Sequence, residues 1–214
     1  MKNSKLPHGP SSLWRIIPML LAAVLLAACS EPLPPKLSQG TLLPSAKPVA
    51  AFQLTDHRGQ PFTLENLKDN WTFAFFGYTH CPDVCPTSMA MLAQVQRKLE
   101  QQDGLDKLPQ VVFVSVDPER DTAALLSEYV PYFHASFIGA SGDEQNTLNL
   151  SRQLGILYGK VEGSAADNYL IDHSTAIILF DPDGAFRAVF GIPHEPDAIA
   201  NDFLAIKTYY EATQ

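Results

Sequence analysis

At 214 residues with 46% hydrophobic content, the chain can bury one sizeable core, and nothing in it calls for a second. Fifteen basic residues stand against 23 acidic ones, a formal charge of −8, which argues against nucleic acid as a partner.

Lys2, Lys5 and Arg15 precede an apolar run from Ile16 to Ala28. That run is too short for a comfortable membrane span and ends in small residues, so residues 1–28 are expected to be an export signal. Its end, Leu26-Ala27-Ala28-Cys29, resembles the lipobox of bacterial lipoproteins. The resemblance implies cleavage before Cys29, a lipid on that cysteine and a position on the periplasmic face of a bacterial membrane, inner or outer. An ordinary signal peptide, or an uncleaved anchor with an incidental cysteine, is the alternative. Pro32, Pro34, Pro35 and Pro44 and the lack of apolar periodicity then make residues 29–47 a flexible tether. Loss of the signal would leave twelve basic residues against 23 acidic ones, a charge of −11 that favours a cationic or metal-bearing partner.

Residues 48–214 form the expected domain. Ala51 to Thr55, the turn at His57-Arg58-Gly59-Gln60, and Pro61 to Leu64 predict an opening β-hairpin. The apolar strand Trp71 to Phe76 runs into Gly77-Tyr78-Thr79-His80-Cys81-Pro82-Asp83-Val84-Cys85-Pro86. Proline lacks an N–H and clashes inside a helix, so Pro86 is expected at the first helical position, with Cys85 just outside it. Both thiols would then lie near a helix N-terminus, whose partial positive charge favours thiolate. Gln110 to Val116 is apolar and β-branched, as in a strand buried on both faces. Asp117-Pro118-Glu119-Arg120-Asp121-Thr122 caps a helix to about Tyr132, and Phe137 to Gly139 is a short strand. A helix begins at Asp143 or Thr147, and Tyr158 to Asn168 is a polar loop. Thr175 to Phe180, the Asp181-Pro182-Asp183-Gly184 turn and Ala185 to Phe190 give a second hairpin, and a helix from Pro196 closes the chain.

This β-α-β-α-β-β-α order predicts an α/β layer fold. It resembles the thioredoxin arrangement, with a hairpin added in front and an insertion around residues 134–168 before the C-terminal hairpin. Chemistry in such a sheet sits at the carboxyl edge of the parallel strands, where Cys81 and Cys85 fall. With Cys29 assigned to lipid, these are the two remaining cysteines. They can close on each other outside the cytoplasm, but so small a loop makes a poor structural staple.

Redox exchange and metal capture both suit such a pair, and the histidines bear on the choice. His8 leaves with the signal, His57 sits in a turn, and His134 and His194 lie in loops with no link to the cysteine edge. His80 adjoins Cys81, and strain limits both from reaching one ion, which leaves it a supporting or transient role. His173 stands directly before the strand at Thr175, expected antiparallel to the strand that ends at Phe76, and so should face the cysteine loop. Two thiolates and an imidazole suit a soft ion, and Cu(I) accepts three ligands where zinc normally takes four. Asp172 either orients that imidazole or is a surface carboxylate.

The blocks Gly77 to Pro86, Val114 to Thr122, and Asp172-His173-Ser174 followed by Leu179 to Gly184 resemble the three signature blocks of the Sco/SenC family. The resemblance covers residues 48 to 210. It implies a thioredoxin-fold metallochaperone with one copper, Cu(I) or Cu(II), held by Cys81, Cys85 and His173. It also implies cytochrome c oxidase subunit II as the acceptor of that copper, a periplasmic thiol reductant as a second partner, and reduction of subunit thiols as a further capacity. A thiol-disulfide oxidoreductase of the thioredoxin class and a copper or redox sensor are the competing functions. Against the first, the spacing here is C-x-x-x-C rather than C-x-x-C.

Overall fold

The computed structural model describes residues 32–161 and 169–214, so the signal segment and Cys29 lie outside the described residues. In chain order the strands are β1 (Gly40–Lys47), β2 (Gln53–Asp56), β3 (Pro61–Thr63), β4 (Thr72–Gly77), β5 (Gln110–Ser115), β6 (Ile138–Ser141), β7 (Tyr158–Lys160), β8 (Ile171–His173), β9 (Ile177–Phe180) and β10 (Phe186–Phe190). The α-helices are α1 (Val84–Glu100), α2 (Ala123–Phe133), α3 (Glu144–Leu154) and α4 (Pro196–Ala212). None of the described helices is long and apolar enough to cross a membrane.

Eight strands form one mixed sheet in the order β1-β10-β9-β4-β5-β6-β2-β3. Its centre is β4, apolar at nearly every position and buried along its whole length. Parallel pairing with β5 runs from Thr72↔Gln110 to Gly77↔Ser115, and antiparallel pairing with β9 from Thr72↔Phe180 to Phe75↔Ile177. On one face Phe73 meets Phe203 of α4, and Phe113 meets Tyr129 of α2. On the other, Ala74, Phe76, Val112 and Val114 pack with Leu150 of α3, with Phe52 just before β2 and with Phe62 of β3. Burial on both faces explains the unbroken apolar run.

Several segments differ from the expectation drawn from sequence. Gly40–Lys47, read as tether, is an edge strand on β10. An edge tolerates Pro44, and the register slips between Leu42 and Lys47. Tyr158–Lys160, read as the start of a polar loop, is a strand paired with β8, with Tyr158 opposite His173. The rest of that loop, residues 162–168, lies outside the described residues.

What holds β1 in place is a buried carboxylate. Asp202 on α4 accepts the backbone N–H groups of Ser38 (2.8 Å), Gln39 (2.8 Å) and Gly40 (2.7 Å) and the Ser38 hydroxyl (3.0 Å). Burial pushes this carboxyl up, but the Gly40, Ser38 and Gln39 amides outweigh it and hold it below the usual range. A depressed folded pKa stabilises above the unfolded value of about 4, and that contribution is lost as pH falls through the folded value. Asp202→Asn is therefore expected to lower stability by about 2 kcal/mol at pH 7, since hydrogen bonds to a charged group are lost. The deficit should narrow at pH 3, and thermal unfolding at both pH values checks it.

Candidate metal centre

The site begins where β4 ends. Tyr78 is buried, and its hydroxyl accepts the N–H of Ile171 (3.2 Å), which ties β8 to the start of the cysteine loop. The Cys81 N–H donates to the Tyr78 carbonyl (3.2 Å), turning the chain back over the sheet edge. Helix α1 then starts at Val84, earlier than Pro86 would indicate, with Asp83 as its N-cap. This costs nothing, because the first four N–H groups of a helix have no intrahelical acceptor. The carbonyl four residues before Pro86 belongs to Pro82, outside the helix, so the usual clash is absent as well.

Cys85 therefore sits inside the first turn of α1 and is fully buried, while Cys81 is 8% exposed. Both are free thiols. The Cys85 Sγ lies 3.2 Å from Nε2 of His173. The ligand atoms of Cys81, Cys85 and His173 all lie within 4.8 Å of one another, the one such group among the described residues. The placement follows from register: β9 begins opposite Phe75, so the residues just before it reach the carboxyl end of β4.

His173 is held rigidly. Its ring meets Phe75 and Tyr78 edge-on, with centroids at 5.9 and 6.0 Å. Ser174 is pinned to the neighbouring segment by two bonds, its N–H to the Leu157 carbonyl (2.8 Å) and the Leu157 N–H to its hydroxyl (3.0 Å). The His173 Nδ1–H donates to the Ser174 carbonyl at 3.0 Å, which leaves the Nε2 lone pair facing the sulfur. That carbonyl takes the orienting role offered to Asp172, whose side chain is exposed. Burial pushes the imidazole pKa down, against the Ser174 and Phe76 carbonyls and the Asp172 charge, which favours the neutral ring.

The expectation of a helix-stabilised thiolate fails at Cys85. Burial pushes its thiol far up, a backbone hydrogen bond with Tyr78 opposes that, and Cys81 and Asp121 add to the rise. A helix terminus contributes about 0.3–1 kcal/mol, whereas full burial shifts a pKa by up to about 3–5 units, so burial wins. A buried, protonated thiol is a poor nucleophile. A cation bound beside it removes that proton outright.

His57 and His134 serve the fold. His57 Nδ1 accepts the Gly139 N–H (3.1 Å), and His134 bridges Ser136 (2.8 Å) and Glu100 (3.2 Å). His194 is half-buried and outside the metal-holding group.

Sequence reasoning missed Asp121. Thr122 is the helix cap, accepting the Leu125 N–H, which frees Asp121 to point inward. Only 1% exposed, it accepts from Thr79 and Ser115 and braces the cysteine loop from below. The available signal was three carboxylates, Asp117, Glu119 and Asp121, packed into six residues where one cap suffices.

Several proteins resemble this chain in sequence or in fold. The mitochondrial SCO2 homolog of Mus musculus is 41% identical over 140 residues, 65% of this chain and 54% of that one. The chain spans about half the length of such curated relatives. The copper-bound crystal structure of ScoI from Arabidopsis thaliana superposes with a TM-score of 0.70 at 35% identity, over 75% of this chain and 98% of that one. Copper-bound ScoI from Bradyrhizobium japonicum gives 0.64 at 38% identity, with the same coverage. The SCO1/SenC family model matches residues 41–208, a span that holds every residue of the centre described above, and the chain belongs to that family.

Proposed function

We propose that this protein is a copper carrier: Cys81, Cys85 and His173 hold one copper and pass it by ligand exchange to the dinuclear copper site of cytochrome c oxidase subunit II. The observation that carries the reading is the convergence of two free thiols and one neutral, tautomer-fixed imidazole within 4.8 Å. Three soft or borderline donors match Cu(I) and leave zinc short of its usual fourth ligand. Copper-bound relatives of the same fold support it. The family's role in oxidase assembly points to the acceptor, and lipidation at Cys29 would keep the domain at the periplasmic face of the membrane.

Thiol-disulfide exchange is the weaker reading. The full burial of Cys85 and its raised pKa withhold the thiolate that such exchange requires.

The test is anaerobic titration of the reduced protein with Cu(I), followed by mixing with the apo copper-binding domain of subunit II. One copper per chain should bind, with proton release and with affinity rising with pH, because Cys85 must give up a proton. Copper should then move to the acceptor. Protein that takes up no copper, or keeps it in the acceptor's presence, overturns the proposal.

A further inference from the structure

We infer that His80 is a second, transient copper-binding position, which takes the ion as it enters and leaves the Cys81–Cys85–His173 centre; this rests on that centre being the copper site. The buried carboxylate of Asp121 anchors the arrangement. It receives the Thr79 N–H (3.0 Å), the Thr79 hydroxyl (2.6 Å) and the Ser115 hydroxyl (2.7 Å). Ser115 Oγ itself accepts the Asp117 N–H (3.0 Å), so its hydrogen is free for Asp121. The carboxylate only accepts, and the single hydrogen of the Thr79 hydroxyl is committed to it.

Thr79 Oγ1 also lies 3.1 Å from Nδ1 of His80. With no hydrogen left to give, the oxygen must accept, so Nδ1 carries the proton and donates. In its neutral form the ring then bears its lone pair on Nε2. No hydrogen bond reaches Nε2 among the described residues, and the side chain is 45% exposed. Asp121, Thr79 and His80 thus form an orienting chain of the kind that prepares imidazoles for metals.

His173 is prepared in the same way, through the Ser174 carbonyl. The Nε2 of His173 lies 3.2 Å from the Cys85 sulfur, inside the group, whereas His80, the residue before Cys81 in the chain, stands outside it. Copper among ligands as buried as Cys85 needs an exposed donor to meet an acceptor. His80 supplies one without joining the resting set. In the exchange Cu(I) stays Cu(I). A Cu–N bond to Nε2 of His80 forms with the nitrogen's own electron pair as one bond of the buried set breaks, and no proton leaves the ring.

The experiment is stopped-flow transfer of Cu(I) from the anaerobically loaded, reduced protein to excess bathocuproine disulfonate. His80→Ala should still bind one copper at near wild-type equilibrium affinity but release it about tenfold more slowly, the factor that an oriented group at a metal site typically contributes. Thr79→Val, which removes the hydroxyl holding Nδ1, should also slow release, and Thr79→Ser should restore it. Fully loaded His80→Ala that releases copper at the wild-type rate overturns the inference while leaving the copper centre intact. Wild-type protein that binds no Cu(I) overturns the centre itself.

Discussion

Replacing His173 with alanine is expected to weaken Cu(I) binding by at least about a hundredfold while leaving the domain folded, since losing even an outer partner of a metal ligand costs 10–100-fold. The imidazole is half-buried at the sheet edge and contributes no residue to the central β4–β5 pairing. Its loss would therefore remove the proposed copper ligand, the contact with Cys85 and two ring contacts but no part of the β4–β5 pairing. Free imidazole diffusing into the vacated space should restore part of the affinity. Asp172→Ala is the informative control. The Ser174 carbonyl holds Nδ1, so deleting the exposed carboxylate should leave affinity within about threefold, well below the cost of losing an orienting partner. Equilibrium competition against a calibrated Cu(I) chelator measures all three. Undiminished affinity in His173→Ala would remove the imidazole from the centre and leave a dithiol protein.

Much of this centre could be read from the chain, for reasons that are local. An unbroken apolar run marks Thr72–Gly77 as a central strand, and the antiparallel rule places whatever precedes Ile177 at its carboxyl end. Cys81, Cys85 and His173 follow from those two facts. The illegible parts depend on partners distant in sequence. Gly40–Lys47 lacks alternation and contains Pro44, and it becomes a strand because β10 and Asp202 hold it. Tyr158–Lys160 is three residues long and largely exposed, too short to show a period. The thiolate expectation failed for a related reason. Helix position can be guessed from Pro86, but complete burial of Cys85 is a property of the packed core.

Gly77→Ala tests that packing most severely. A Cβ at Gly77 would lie 2.7 Å from the Cys85 Sγ and 3.1 Å from ring atoms of both Phe75 and Phe113. The rings are fully buried in the core, so they have little room to retreat. The sulfur can move only by turning about its Cα–Cβ bond, which carries it off its 3.2 Å approach to His173. Overpacking a core by one methyl costs about 1–3 kcal/mol. For a domain of this size that lowers Tm by about 3–10 °C, and copper affinity should fall with it. Pairing the change with Cys85→Ala separates the two effects. Deleting the sulfur opens the space the methyl needs, so the double variant should be more stable than the sum of the single losses predicts, a coupling of about 1 kcal/mol or more. Strict additivity of the two losses, or wild-type copper affinity in Gly77→Ala, would show that the sulfur is not wedged between the end of β4 and His173.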